Sequence, residues 1–220
     1  MLFRSDLQAI QARHSVRAYQ EKKIEAEKAE ALRELLDRLN KEYDLHMQLI
    51  EEVGTVFSGV VSKICGWSHV PSYIAMVGKD SESLDELCGY VGERVVLEAQ
   101  KLGLNTCWAG IFKRKQATAE IREGERLALV IAVGFGVNSG HSRRSKTISD
   151  VTDVQDMPDW FRAGVEAALL APTARNQQKF FFTLDGGKPV ARVTGNAPFA
   201  KLDLGIAKCH FEIGSGRTFE

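Results

Sequence analysis

The 220-residue sequence has no net charge, because 29 lysines and arginines balance 29 aspartates and glutamates. This removes the broad basic field on which general nucleic-acid binding and attachment to anionic membranes depend. No apolar run approaches the ~20 residues that span a bilayer. The opening MLFRSDLQAIQARHSVR lacks the apolar stretch of an export signal. Cysteine is sparse and scattered (Cys65, Cys88, Cys107, Cys209), with no CxxC and no Cys/His pair at zinc-finger spacing. These features predict reduced thiols in a soluble cytoplasmic protein. His14, His46, His69, His141 and His210 show no metal-ligand spacing, so no metal site is expected. No nucleophile-elbow motif supports a catalytic triad. The GFG at 134–136 is too short and wrongly placed for a dinucleotide-binding fingerprint.

Amphipathic and strand-like segments fill most of the chain. SDLQAIQAR (5–13) reads as a short helix with Ser5 as N-cap. Residues 24–41 repeat Leu32, Leu35, Leu36 and Leu39 at helical spacing. LHMQLI (45–50) alternates as a half-buried strand, and 54–71 reads as loop with some helix. SYIAMVG (72–78) and RLALVIAVGFG (126–136) read as buried strands, the second more clearly. Between them, 83–103 carries a long helical stripe through Val91, Val95, Ala99 and Leu102, and LNTCWAGIF (104–112) is a strand or loop against the core. A helix over 157–172 begins at Pro158 and stops at Pro172. KFFFTL (179–184) is a strand, DGGKP a turn, and 196–216 a final helix with Phe199, Leu202, Ile206 and Phe211 inward. The elements add up to an α+β chain.

Four segments carry residue types suited to binding chemistry. Arg13-His14-Ser15-Val16-Arg17 sets guanidinium forks around a hydroxyl, a pattern that suits phosphate and equally complements a helix C-terminus. Arg143-Arg144-Ser145-Lys146 is a basic loop with no acid nearby, suited to phosphate or simply to solvent. Ala171-Pro172-Thr173-Ala174-Arg175-Asn176-Gln177-Gln178 combines small and amide-bearing residues, which suits the mixed edge of a heteroaromatic ring or an ordinary helix-to-strand loop. Cys107-Trp108-Ala109-Gly110 lets backbone approach a ligand closely, or is core.

Together these segments resemble the FMN-dependent nitroreductase family. RHSVRAY is similar to its R-x-S-x-R signature, and YVGERVVLEAQKLGLNTCWAGIF to its long central helix and following turn. RRSKTISDV resembles its basic flavin-phosphate segment, and AALLAPTARNQQKFFF its A-P-S-x-x-N-x-Q segment. That last segment ordinarily follows the first by a few dozen residues, whereas here it lies about 150 residues later. The resemblance therefore implies a nitroreductase-like fold, with a central, mostly antiparallel sheet flanked by helices, arranged as a single-chain mimic of the family dimer. Residues 1–150 would form the first half with the FMN phosphate site. Residues 151–220 would form a truncated second half completing one compact unit.

By residue, the resemblance implies that Arg13 binds the FMN phosphate with Arg144 and with Arg143 or Lys146, His14 lying in the same segment. Ser15 would bond the phosphate or ribityl chain, and Arg17 would lie by the pyrimidine edge. Trp108, Ala109, Gly110 and Ile111 would pack on the isoalloxazine. Pro172, Thr173, Ala174 and Asn176 would form the wall contributed by the other half. The implied activity is an oxidoreductase that uses NAD(P)H and FMN to reduce nitroaromatics, quinones or similar electron-poor acceptors by ping-pong hydride transfer, with the chemistry on the flavin and no catalytic side chain. Its partner would be a small-molecule acceptor, without nucleic acid or membrane, and the chain would be a monomer. A non-catalytic FMN module, or a related fold binding another nucleotide, are the alternatives.

Overall fold

The computed structural model describes residues 5–219. Helix α1 (Asp6–Ala12) starts where Ser5 accepts the Gln8 N–H at 3.3 Å, which satisfies one donor that the first turn leaves open. α2 (Ala26–Tyr43) buries the leucine stripe Leu32, Leu35, Leu36 and Leu39. β1 (Gln48–Ile50) is shorter than the alternation over 45–50 predicts, because the Asn40 side chain bonds the backbone of Met47 and Leu45 makes only an isolated bridge to Gly78. The short α3 (Val60–Ile64) precedes β2 (Ser72–Lys79). α4 (Leu84–Lys101) leads into β3 (Asn105–Ala109), and β4 (Glu125–Gly134) follows.

These strands form one antiparallel sheet in the order β1-β2-β4-β3. The central β2 and β4 are apolar on both faces because both are covered. Ile74, Met76, Ile131 and Val133 meet α2 and the Val91/Val95 stripe of α4. Tyr73, Ala75, Val130 and Ala132 meet Val56, Phe57 and Trp67 on the opposite side.

The rest of the chain builds a second core. α5 (Asp159–Ala168) is followed by the hairpin β5 (Phe180–Asp185) and β6 (Lys188–Val193), and then by α6 (Ala200–Ser215). Phe161, Phe180, Phe182 and Phe211 pack at its centre, and Trp108 touches both this cluster and the α2–α4 core.

Three predicted boundaries change. The helix expected over 157–172 ends at Ala168, because the carbonyls of Leu169 and Ala171 are bonded by side chains from elsewhere. The DGGKP turn is the bend of a hairpin whose second strand, β6, was not expected. Its residues alternate exposed and half-buried rather than apolar, and Gly186 and Gly187 supply the positive φ values of the tight turn. The final helix begins at Ala200, not 196. Phe199 is left-handed at φ 65°, so it cannot continue the helix, and its side chain is exposed instead of inward.

α4 and α6 cross at backbone contact. A Cβ on Gly89 would stand 2.0 Å from the Leu202 carbonyl oxygen, and one on Gly205 would stand 1.9 Å from that of Glu86. The contact is reciprocal, since each glycine follows by three residues the carbonyl that the other one meets. The four cysteines are free thiols. Among the described residues, no helix is long and apolar enough to cross a membrane, and no cluster of metal-ligating side chains occurs.

Candidate functional site

A cleft of about 420 Å³ opens between the sheet and the second core. Trp108, Ala109, Gly110 and Ile111 form one wall at the end of β3. Ser15 and Arg17 reach it from the segment after α1, where Ser15 bridges Thr106 of β3. Pro172, Thr173 and Ala174 form the facing wall. The start of α6 closes the end, with the Phe199 ring against Gly110. The structure thus brings together nine of the fifteen residues that the resemblance assigns to the cofactor, while Arg13, His14, Arg143, Arg144, Lys146 and Asn176 do not line the cleft.

Arg143, Lys146 and Asn176 instead tie the basic loop to the wall. The Arg143 guanidinium donates to Asn176 Oδ1 and to the carbonyls of Leu169 and Ala171. Asn176 Nδ2 donates to the Arg144 carbonyl at 2.7 Å, so its amide faces the basic loop rather than the cleft. Lys146 Nζ donates to the Gln178 carbonyl at 2.8 Å. The Arg144 side chain is exposed. The cause is the end of α5, whose buried carbonyls require donors once the helix stops. Gln178, 1% exposed, completes the clamp by donating to Leu169 O at 2.9 Å and to Ser145 Oγ at 3.0 Å while accepting the Lys146 N–H. This network holds Arg175, Asn176 and Gln178 at φ 52°, 57° and 47°, left-handed conformations that non-glycine residues adopt only when their surroundings impose them.

Behind the Trp108 wall lies a buried polar cluster. Trp108 Nε1 donates to Glu93 Oε2 at 2.9 Å, and His210 Nε2 meets Glu93 Oε1 at the same distance. His210 Nδ1 faces the Ala167 carbonyl at 3.1 Å, a contact in which that nitrogen donates. Arg13 Nε is 4.0 Å from Glu93 Oε1, buried, and has no hydrogen-bond partner among the described residues. Arg143 lies close enough that burial and the Arg13 charge push it down to about 10. Burial and the charges of Arg13, Arg143 and His141 likewise lower His14. Two guanidinium groups and two histidines thus converge beside the cleft.

Sequence reasoning missed Asp203. It is 5% exposed, lines the cleft, and accepts the Ala174 N–H with both oxygens at 3.0 Å. Burial pushes its carboxyl up to about 7, against the opposing pull of that N–H and Arg143. An acid set between Leu202 and Leu204 on a buried helix was the available signal. Cys65 and Trp67, from the segment read as loop, also line the cleft. Burial raises the Cys107 thiol, which fits a packing residue and not a nucleophile.

The family model described as "Putative TM nitroreductase" matches residues 6–215. The crystal structure of a "putative nitroreductase" from Thermotoga maritima has 21% identity and a TM-score of 0.65, with 96% of this chain and 83% of that one covered. A nitroreductase-like family protein from Bacillus cereus has 15% identity and a TM-score of 0.53, covering 71% of this chain and 99% of its own. A protein from Parabacteroides distasonis named "Putative NADH dehydrogenase/NAD(P)H nitroreductase" has 16% identity and a TM-score of 0.50, covering 66% of this chain and 95% of its own. No curated protein matches the chain.

Proposed function

The chain belongs to the nitroreductase family that this model describes, and from that premise we propose that it is an FMN-dependent oxidoreductase that reduces electron-poor acceptors with NAD(P)H. The observation that carries the proposal is the cleft itself, where a flat apolar wall, a hydroxyl, an exposed guanidinium and a rigid facing loop meet. The name of the Parabacteroides protein supports a nicotinamide co-substrate.

The residues present fit FMN. The unpartnered Arg13 Nε and the mutual repulsion of Arg13 and Arg143 are both relieved by a phosphate dianion, whose oxygens accept guanidinium donors. Ser15 supplies a further donor on the way into the cleft. Trp108 through Ile111 offer the apolar surface for the ring system, and Pro172 through Ala174 close over it. When bound, FMN supplies the two-electron carrier between nicotinamide and acceptor. With FMN bound, Arg17 would supply a fixed positive charge in the cleft that stabilises negative charge developing on the cofactor. The Gln178 and Arg143 clamp keeps the facing wall rigid, so binding costs little ordering. Phe199 and Trp67 add apolar surface to the cleft lining.

We further propose one site per chain, with residues from about 157 onward acting as a second, shortened copy of the first half. The reciprocal Gly89/Gly205 crossing supports this, because two-fold related helices make the same contact twice. The Bacillus structure, nearly all of whose length is matched, accounts for only 71% of this chain. The test is the visible absorbance of the purified protein before and after denaturation. Release of one FMN per chain is expected. A colourless protein that takes up no added FMN would overturn the flavoenzyme reading, and two FMN per chain would overturn the single site.

A further inference from the structure

Reduction of a quinone, nitro group or enone requires a proton as well as a hydride. Asp203 is the one carboxyl among the described residues lining the cleft; the other ionisable groups there are Arg17, Arg175 and the thiols of Cys65 and Cys107. It is buried in the first turn of α6 and makes no ion pair among the described residues. Its oxygens are fixed by a backbone N–H of the facing wall, so the group is held at one spot over the substrate space. We propose that Asp203 is the catalytic acid that protonates the electron acceptor.

The assignment rests on the reductase reading given above. The acceptor gains two electrons and one hydrogen nucleus as hydride, with NAD(P)H as the reductant. Its π bond opens toward the far atom, an oxygen in a quinone or nitro group and the α-carbon in an enone. The Asp203 O–H bond breaks, its electron pair stays on the carboxylate, and the proton forms the new bond on that far atom. Water at the cleft mouth returns the proton. Arginine holds its proton too tightly to serve, and the Cys107 thiol is raised by burial.

Arg143, from the loop after β4, is the charge that pulls on Asp203, while Arg175 of the wall and Arg17 of the segment after α1 line the same cleft. On its own helix Lys201 turns away to the Glu82 carbonyl, and Lys208 is engaged by Glu86 of α4. Burial outweighs the Arg143 charge and the Ala174 N–H and keeps the acid protonated up to about neutrality, which is where a general acid works best.

Asp203 also anchors the wall through Ala174, and the substitution Asp203→Asn separates the two roles. An amide oxygen still accepts the Ala174 N–H, but the titratable proton is gone. In carbon-13-labelled protein without added flavin, one carboxyl resonance should titrate near neutrality and vanish in the variant. In the loaded enzyme, D203N should slow quinone and enone reduction about a hundredfold and abolish the fall in rate as pH rises through 7. Reduction of ferricyanide, which takes electrons without a proton, should persist. If D203N reduces quinones at the wild-type rate, loses both acceptors equally, or leaves the near-neutral resonance in place, Asp203 is not the acid. A wild-type protein that oxidises NAD(P)H with neither acceptor would overturn the reductase reading and this assignment with it.

Discussion

Arg17 and Glu93 place opposite demands on the protein. Arg17 is exposed and has no ion-pair partner among the described residues, so its removal leaves the fold intact. Arg17→Ala should fold normally and reduce acceptors about tenfold to a hundredfold more slowly. Stopped-flow reduction at the full wild-type rate would refute its electrostatic role. Glu93 is fully buried and serves Trp108, His210 and Arg13 together. Glu93→Ala would strand an indole N–H and a guanidinium, at a cost of about 3–5 kcal/mol, read as a lower urea midpoint. Asp203 adds a pH dependence with a definite sign. Its folded form keeps the proton up to about 7, well above the usual aspartate range. The stability it contributes is complete below that usual range and is lost as pH rises toward 7, where the folded state must ionise a buried group. Denaturation midpoints should therefore fall less between acid and neutral pH in D203N than in the wild type.

At the scale of elements, the long periodic segments were legible and the joints were not. The leucine stripe of α2 and the apolar runs of β2 and β4 announce themselves because each has a single environment along its length. β6 hides because it lies half in solvent and carries little apolar pattern. The ends of α5 and α6 are set by Arg143, Gln178 and a left-handed Phe199, which are long-range contacts that no local window contains. Ser15, Arg17 and the C-W-A-G segment, singled out separately in the sequence, line one cleft, whereas the bonds that turn Asn176 toward the basic loop are not legible in any local pattern. Glu93 and Asp203 share one readable signal, a charged residue in phase with a buried helical face. Two predictions belong here. Gln178→Ala should weaken FMN binding severalfold and cost about 1–3 kcal/mol of stability, because it frees the strained wall and removes partners from buried polar groups; fluorescence titration and urea denaturation check it. Gly89→Ala and Gly205→Ala should each cost at least about 3 kcal/mol, since the added methyl meets backbone that no rotamer change can move. The double variant should cost less than the sum, because one separation of the helices relieves both clashes.

For the whole molecule, the two cores share Trp108 and the α4–α6 crossing, so they should unfold as one cooperative unit, with tryptophan fluorescence and far-ultraviolet dichroism giving the same transition. Light scattering should report a monomer, because both walls of the cleft come from one chain. The crossing of α4 on α6 has a consequence for behaviour on dilution. In an assembly of separate subunits such a contact dissociates once the concentration falls below its Kd, and a site built across it is lost. Here the folded chain from β3 through the β5–β6 hairpin joins the two helices and keeps them at a fixed effective concentration, whatever the amount of protein present. The cleft therefore persists in dilute solution, and its flavin affinity should be the same at the lowest assayable enzyme concentration as at the highest.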